Sequence, residues 1–315
     1  MPIALATLPY HGRMTARPKR SIRVIGIPMD LGQSLRGVDM GPGAIRYAGL
    51  SGRLRKLGYV VHDAGNLAVP IRDNVLDQEE AELNFLPATI QVSGAIYAAA
   101  RASREEGAIP VFVGGDHSIS IGTVGGVTHD GPTGVLWVDA HGDFNTPETS
   151  PSGNIHGMSL ATLLGHGSKE LVDVGRPGPK VRPTEVVMIG VRDLDDEEKS
   201  LLRSSGVTVF TMRTIDERGM AAVARQAIDI LSHAQRLHVS LDLDALDPTE
   251  APGVGTPVPG GLTYREAQLL MEMLADTRRV GSVDIVEVNP ILDERNETAQ
   301  TACELMESLF GKAIL

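Results

Sequence analysis

The chain has 315 residues, 42% apolar and 22% charged, a balance that fits an ordinary globular protein and excludes a disordered or fibrous one. A net charge of −11 argues against a nucleic-acid surface, and no apolar run approaches the roughly 20 residues that span a bilayer. One cysteine, Cys303, excludes an internal disulfide framework and points to a reducing compartment, read here as the cytoplasm.

Residues 1–20 carry Arg13, Arg17, Lys19 and Arg20 and no acid. Their weak apolar patch, Ile3 to Leu8, precedes the basic residues, the reverse of a secretory signal. The segment reads as a flexible N-terminal extension, with a transit peptide as the minority alternative. Residues 21–315 read as one domain, because no composition shift marks a second.

From Ser21 onward strand-like and helix-like segments alternate. The strands fall at Ile22–Ile27, Tyr59–His62, Pro110–Val113, Val135–Val138, Glu185–Ile189, Val207–Phe210, Leu237–Leu241 and Ser282–Val288. Helices are expected over Gly43–Leu57, Pro87–Gly107, Glu217–Ala234, Tyr264–Asp276 and Asn296–Leu309. Thr263 with Glu266 three residues on is a capping box for the fourth of these. Such alternation predicts an α/β fold with a largely parallel sheet covered on both faces.

Three of the apolar runs end in metal-grade side chains: Gly-Gly-Asp-His (114–117), Asp-Ala-His-Gly-Asp (139–143) and Asp-Leu-Asp-Ala-Leu-Asp-Pro (242–248). Open parallel sheets bind ligands beyond the carboxyl ends of their strands. One rim should therefore gather His117, Asp139, His141, Asp143, Asp242 and Asp244. If 139–143 stays extended, its alternate residues share a face, and Asp242 with Asp244 repeats that spacing. A lone Asp-x-Asp is usually a turn and a lone His usually core; three pieces after three buried strands are harder to dismiss. Four carboxylates balance two divalent ions, whereas one ion would leave them crowded and repelling. The oxygen-rich set favours Mn²⁺ over Zn²⁺. Asp116 reads as an orienting residue behind a ligand, and Asp247, before Pro248, as a turn-former.

At these motifs the chain resembles the ureohydrolases, and among them the arginase branch of bacterial type, over nearly everything from Arg23 onward. The resemblance implies a three-layer α/β/α sandwich with a mostly parallel, roughly eight-stranded doubly wound sheet. It implies two Mn²⁺ per subunit: His117 and Asp143 on one ion, His141 and Asp244 on the other, Asp139 and Asp242 bridging. The reaction implied is hydrolysis of L-arginine to L-ornithine and urea, by attack of a metal-bridging hydroxide on the guanidinium carbon.

The segment 145–157 resembles the loop that reads an amino acid's head group. Asn145, Ser150 and Ser152 would bind the α-carboxylate, with Asn154 shaping that end. Asp195 would meet the α-ammonium, with Asp193 and Glu198 nearby. Each has a plainer alternative: Ser and Asn dominate loops, and Asp195 to Glu198 looks like the acidic first turn of a helix. Glu287, in Val-Glu-Val-Asn-Pro (286–290), would pair with the guanidinium, and Thr256 would orient the substrate or Glu287. His156 would shuttle a proton, a role suited to a pKa near neutrality, and Asp143 would hand a proton to the leaving amine.

The resemblance further implies a homotrimer or homohexamer, with no nucleic-acid or membrane partner. The rival readings are another amidinohydrolase, acting on agmatine, guanidinobutyrate, proclavaminate or formiminoglutamate; a non-catalytic subunit of the same fold; and a mononuclear zinc deacetylase.

Overall fold

The computed structural model describes residues 20–75 and 83–313; the N-terminal extension read from the sequence lies, but for Arg20, outside the described residues. Among the described residues eight strands form one sheet: β1 (Ser21–Ile27), β2 (Val60–Asn66), β3 (Ile109–Gly114), β4 (Gly134–Val138), β5 (Val186–Val191), β6 (Thr208–Thr211), β7 (Leu237–Asp242) and β8 (Val280–Val286). Their order is β2-β1-β3-β8-β7-β4-β5-β6, and every strand pair is parallel.

The helices are α1 (Gly41–Tyr47), α2 (Leu50–Lys56), α3 (Leu86–Glu105), α4 (Ser120–Val127), α5 (Ser159–Leu163), α6 (Lys169–Val172), α7 (Asp196–Ser205), α8 (Met212–Arg218), α9 (Met220–Ile230), α10 (Tyr264–Asp276) and α11 (Glu297–Leu309). Side chains alternate across the sheet with period two. Val111, Val113, Leu136, Val138, Val239 and Leu241 pack under α1, α2 and α8–α11. On the other face Phe112 packs beneath α3 and α4, and Val135, Trp137 and Met188 beneath α5 and α7. Both faces are covered, giving the three-layer α/β/α sandwich.

Several boundaries differ from the sequence reading. The helix expected over Gly43–Leu57 is broken at Gly49, whose φ of 87° leaves the helical region. That expected over Glu217–Ala234 begins earlier, as α8, and breaks at Gly219. β2 runs four residues past His62; as an exposed edge strand it lacks the apolar run that marks the others. Glu185 is a cap rather than a strand residue, accepting from the Arg182 amide at 2.8 Å. β8 stops before Glu287, which takes a φ of 63° and turns out of the sheet.

The strand order fixes the site. The central strands β3, β8, β7 and β4 are neighbours in space though far apart in sequence. Their carboxyl ends lead into His117, Glu287, Asp242 with Asp244, and Asp139 to Asp143, so four separate motifs meet on one rim.

Candidate metal centre

His117 follows a turn that only glycine can make. A Cβ on Gly115 would lie 1.9 Å from the Met29 carbonyl oxygen. Asp116 pins the turn: its carboxylate accepts from Gly32 N at 2.8 Å and Ser118 N at 3.0 Å. It stands in neither donor group of the described residues and acts on the turn that carries His117.

The 139–143 segment does not stay extended. β4 ends at Val138, and Asp143 takes a φ of 48°, a conformation uncommon for a residue with a side chain. Asp139, His141 and Asp143 therefore converge by bending rather than by strand alternation. A Cβ on Gly142 would come within 2.5 Å of Glu198 Oε1, so any larger residue would displace that side chain. On β7, Asp242 is the last strand residue and Asp244 sits in the 3-10 turn beyond, with Asp244 N donating to Asp242 Oδ1 at 2.8 Å. The Arg192 guanidinium clamps that turn, donating to the carbonyls of Asp244, Ala245 and Leu246.

Two donor groups result: His117 with Asp139 and Asp143, and His141 with Asp139 and Asp244. His117 Nδ1 lies 3.0 Å from Asp139 Oδ2, 3.0 Å from Asp143 Oδ2 and 3.2 Å from Asp242 Oδ2. An octahedral ion with bonds of about 2.1 Å separates adjacent donors by about 3 Å, so this spacing fits one divalent cation. Among the described residues His117 Nδ1 and Asp143 Oδ2 find no hydrogen-bond partner though buried, a costly arrangement that a cation would relieve. His141 Nδ1 lies 3.1 Å from Asp244 Oδ2 and 3.6 Å from Asp139 Oδ1. Asp139 belongs to both groups, as expected of a bridge. Asp242 stands with the His117 group.

The electrostatics point the same way. Burial would depress His117, but the charge of Asp143 and contacts with Asp139, Asp143 and Asp242 carry it well above its ordinary value. Burial likewise opposes His141, which Asp244 and Asp139 raise to about 12. Burial, then Asp244 and Asp139, lift the Asp242 carboxyl well above the usual range; burial and Asp139 lift Asp143 to about 6. Asp139 runs the other way: against burial, its contacts with His117 and His141 hold it below the usual range. A field that binds protons this firmly on two imidazoles is one that binds cations.

Asp247 only shapes its turn, accepting from Thr249 N, Gly260 N and Gly261 N. Thr256 Oγ1 donates to Asp244 Oδ2 at 3.0 Å from the cleft wall. Glu287 is 1% exposed, with both oxygens engaged: Oε1 accepts from His117 N at 2.8 Å and faces His156 Nδ1 at 3.1 Å, and Oε2 accepts from Gln33 Nε2 at 2.8 Å. Burial would lower His156, but the bond to Glu287 pushes it up to about 9, above rather than near neutrality.

A cleft opens beside the donor groups. Its lining includes His117, His141, Asp143, Asp242, Asp244, His156 and Thr256 at the metal end, and Asn145, Ser150, Ser152, Asn154, Asp193, Asp195 and Glu198 around the rest. Glu287 does not reach its surface; it sits behind His117 and His156. Asn145 Nδ2 donates to Asp195 Oδ2 at 2.9 Å, joining the 145–157 loop to α7. Asn154 Oδ1 accepts from Asn84 and Ser34, so it braces the loop. Glu198 lies beneath Asp195, accepting from Asp195 N at 3.2 Å and Phe144 N at 2.9 Å in a capping box for α7.

Three contributors were not singled out in the sequence. Trp137 stacks on His117 with centroids 4.2 Å apart and donates to Asp139 Oδ2 at 2.9 Å. Gln33 fixes Glu287 across 254 positions, and Ser240 meets His117 Nε2 at 2.8 Å. The one available signal was polarity at the period-two positions of a buried strand, His238 and Ser240 in β7.

A family model described as the arginase family matches residues 20–311. An arginase of Bacillus subtilis is 51% identical over 297 residues, covering 94% of this chain and 99% of the relative. An arginase of Bacillus caldovelox is 50% identical over 298 residues, covering 94% of this chain and 100% of the relative. The crystal structure of arginase from Bacillus cereus superposes with a TM-score of 0.90 at 52% identity, covering 94% of this chain and 100% of that one.

Proposed function

Because the chain belongs to the arginase family, we propose that it is a manganese-dependent amidinohydrolase that converts L-arginine to L-ornithine and urea. One observation carries the reading: two donor groups share Asp139 at the end of a cleft whose other wall is acidic and hydroxyl-rich.

His117, Asp143 and Asp242 would hold one ion, His141 and Asp244 the other, with Asp139 between them. When bound, paired divalent ions acidify water into a nucleophile and stabilise charge at the reacting centre. The chain's own residues then supply recognition and protons. Asp195, held by Asn145, offers a carboxylate to the substrate's α-ammonium, and the Ser150 and Ser152 hydroxyls suit the α-carboxylate. The carboxylate of Glu287 matches the planar guanidinium cation, but it lies behind His156 and outside the cleft lining, so pairing requires the His156 side chain to swing aside. Glu287 Oε1 is shared with His156, so guanidinium binding would loosen that contact and free His156 to move. Cleavage of the carbon–nitrogen bond must deliver a proton to the departing amine. His156, whose bond to Glu287 favours its protonated form, is the candidate donor in this reading, and Asp143 the alternative carrier.

Assembly as a homotrimer or homohexamer in the cytoplasm belongs to the same reading. Among the described residues no helix is long and apolar enough to cross a membrane. The test is product analysis. L-arginine should yield ornithine and urea in equal amounts, the activity should vanish on chelation, and Mn²⁺ should restore it. Faster turnover of agmatine or guanidinobutyrate than of arginine would overturn the substrate assignment.

A further inference from the structure

We propose that Asp284 is a positioning residue for the His117 side of the metal centre, acting through Ser240. The inference rests on the two-ion reading above.

β7 and β8 present unlike faces. Leu237, Val239, Leu241, Val283 and Ile285 enter the large apolar core. The opposite face carries His238, Ser240 and Asp242 beside Ser282 and Asp284, all at most 2% exposed. The register pairs His238 with Ser282 and Ser240 with Asp284. A polar ladder therefore runs beneath the metal centre, inside the protein.

Its hydrogen bonds have a direction. His117 turns Nδ1 toward Asp139, Asp143 and Asp242, so Nδ1 is the ligating nitrogen. A neutral ligating imidazole carries its proton on the other nitrogen, so Nε2 donates to Ser240 Oγ at 2.8 Å. The Ser240 hydroxyl is then left with its own proton to donate, and Asp284 Oδ2 accepts it at 3.5 Å. The same oxygen accepts from Thr123 Oγ1 at 2.6 Å and lies 3.1 Å from His238 Nε2, while His238 Nδ1 meets Ser282 Oγ at 2.8 Å.

Asp284 is completely buried, and among the described residues its Oδ1 has no hydrogen-bond partner. Among the described residues no Lys or Arg pairs with it; His238 is its one ion-pair partner. An apolar side chain would cost less at this position. A ligating histidine commonly passes its second N–H to a carboxylate, which fixes tautomer and ring orientation. Here the carboxylate stands one hydroxyl removed. His141 has no comparable support among the hydrogen bonds of the described residues, so the relay serves one ion of the two.

The experiment is calorimetric titration of metal-stripped protein with Mn²⁺, on wild type, Ser240→Ala, Asp284→Asn and the double variant. Wild type should take up two ions; fewer would mean that the two-ion reading itself has failed. Ser240→Ala and Asp284→Asn should each weaken one ion about 10–100-fold and leave the other. The double variant should be no worse than the poorer single, because both act along one path. At one Mn²⁺ per chain, the electron paramagnetic resonance spectrum of either variant should match that of His117→Asn. Thermal melting of the stripped proteins separates misfolding from lost positioning; if Asp284→Asn does not fold, Ser240→Ala decides. Two ions bound with wild-type affinities in Ser240→Ala, or effects that add in the double variant, would overturn the proposal.

Discussion

Replacing Glu198 by Gln should stabilise the metal-free protein at pH 8 yet leave it near wild-type stability at pH 5. Glu198 is 4% exposed and sits in the space that Gly142 leaves open. Burial, only partly offset by the bond from Phe144 N, raises its carboxyl from 4.5 to about 7. The folded protein therefore keeps a proton that the unfolded chain releases between about pH 4.5 and 7. Stability from this group falls as pH rises through that window and is flat above it. At about 1.4 kcal/mol per tenfold, the buried charge costs roughly 3 kcal/mol above pH 7. Gln removes that cost and keeps an oxygen for Phe144 N, but it loses the bond from Asp195 N, worth about 1 kcal/mol. The net gain is about 2 kcal/mol at pH 8 and close to zero at pH 5. Urea unfolding of stripped wild type and variant at the two pH values reads the difference directly. An equal difference at both would refute the argument. In the loaded enzyme the same change removes negative charge beneath Asp195, so KM for a cationic amino acid should rise while the fold becomes more stable.

Gly115→Ala has no room for its methyl beside the Met29 carbonyl oxygen, and should cost more than about 3 kcal/mol or abolish folding, as circular dichroism would report. Trp137→Phe keeps the ring under His117 but removes the donor to Asp139; Mn²⁺ affinity should fall about tenfold, and an unchanged titration would refute that role. His156→Asn should lower kcat by about a hundredfold while elemental analysis still finds two ions per chain, and a wild-type kcat would end its assignment as proton donor. Asp195→Asn should raise KM for arginine about tenfold or more with kcat little changed, whereas arginine kinetics identical to wild type would sink the recognition argument.

The apolar runs of β3, β4 and β7 made the rim legible, because buried parallel strands advertise themselves and the residues just beyond them carry the chemistry. The six metal-site residues meet on one rim, though not by the strand alternation that their spacing suggested. How they converge was not legible: the bend at Asp143 and the turn at Asp244 are backbone conformations that no residue pattern announces. Nor could composition place Gln33 on Glu287, since that contact joins a loop near the N-terminus to the end of the last strand. β2 reads short because an exposed edge lacks the apolar signature, and α7 reads only as the acidic first turn of a helix, its apolar stripe being narrow.

At α4, where the sequence pattern predicts no helix, local propensity and tertiary packing disagree. Its sequence, Ser-Ile-Gly-Thr-Val-Gly-Gly-Val, carries three glycines at roughly 1 kcal/mol each against helix, and an isolated eight-residue segment could not recover that. The glycines are needed for close approach to α3. A Cβ on Gly122 would lie 2.6 Å from Ile96 Cβ, and one on Gly126 would lie 2.5 Å from the Tyr97 carbonyl oxygen. With α4 seated against α3 in this way, Thr123 reaches Asp284 on the polar face of β8. The helix that looks least like a helix thus closes the lid over the buried carboxyl behind the metal centre. A bulkier, better helix former at the glycine positions would push α4 away from α3 and loosen the hydroxyl that holds Asp284 in line with Ser240 and His117.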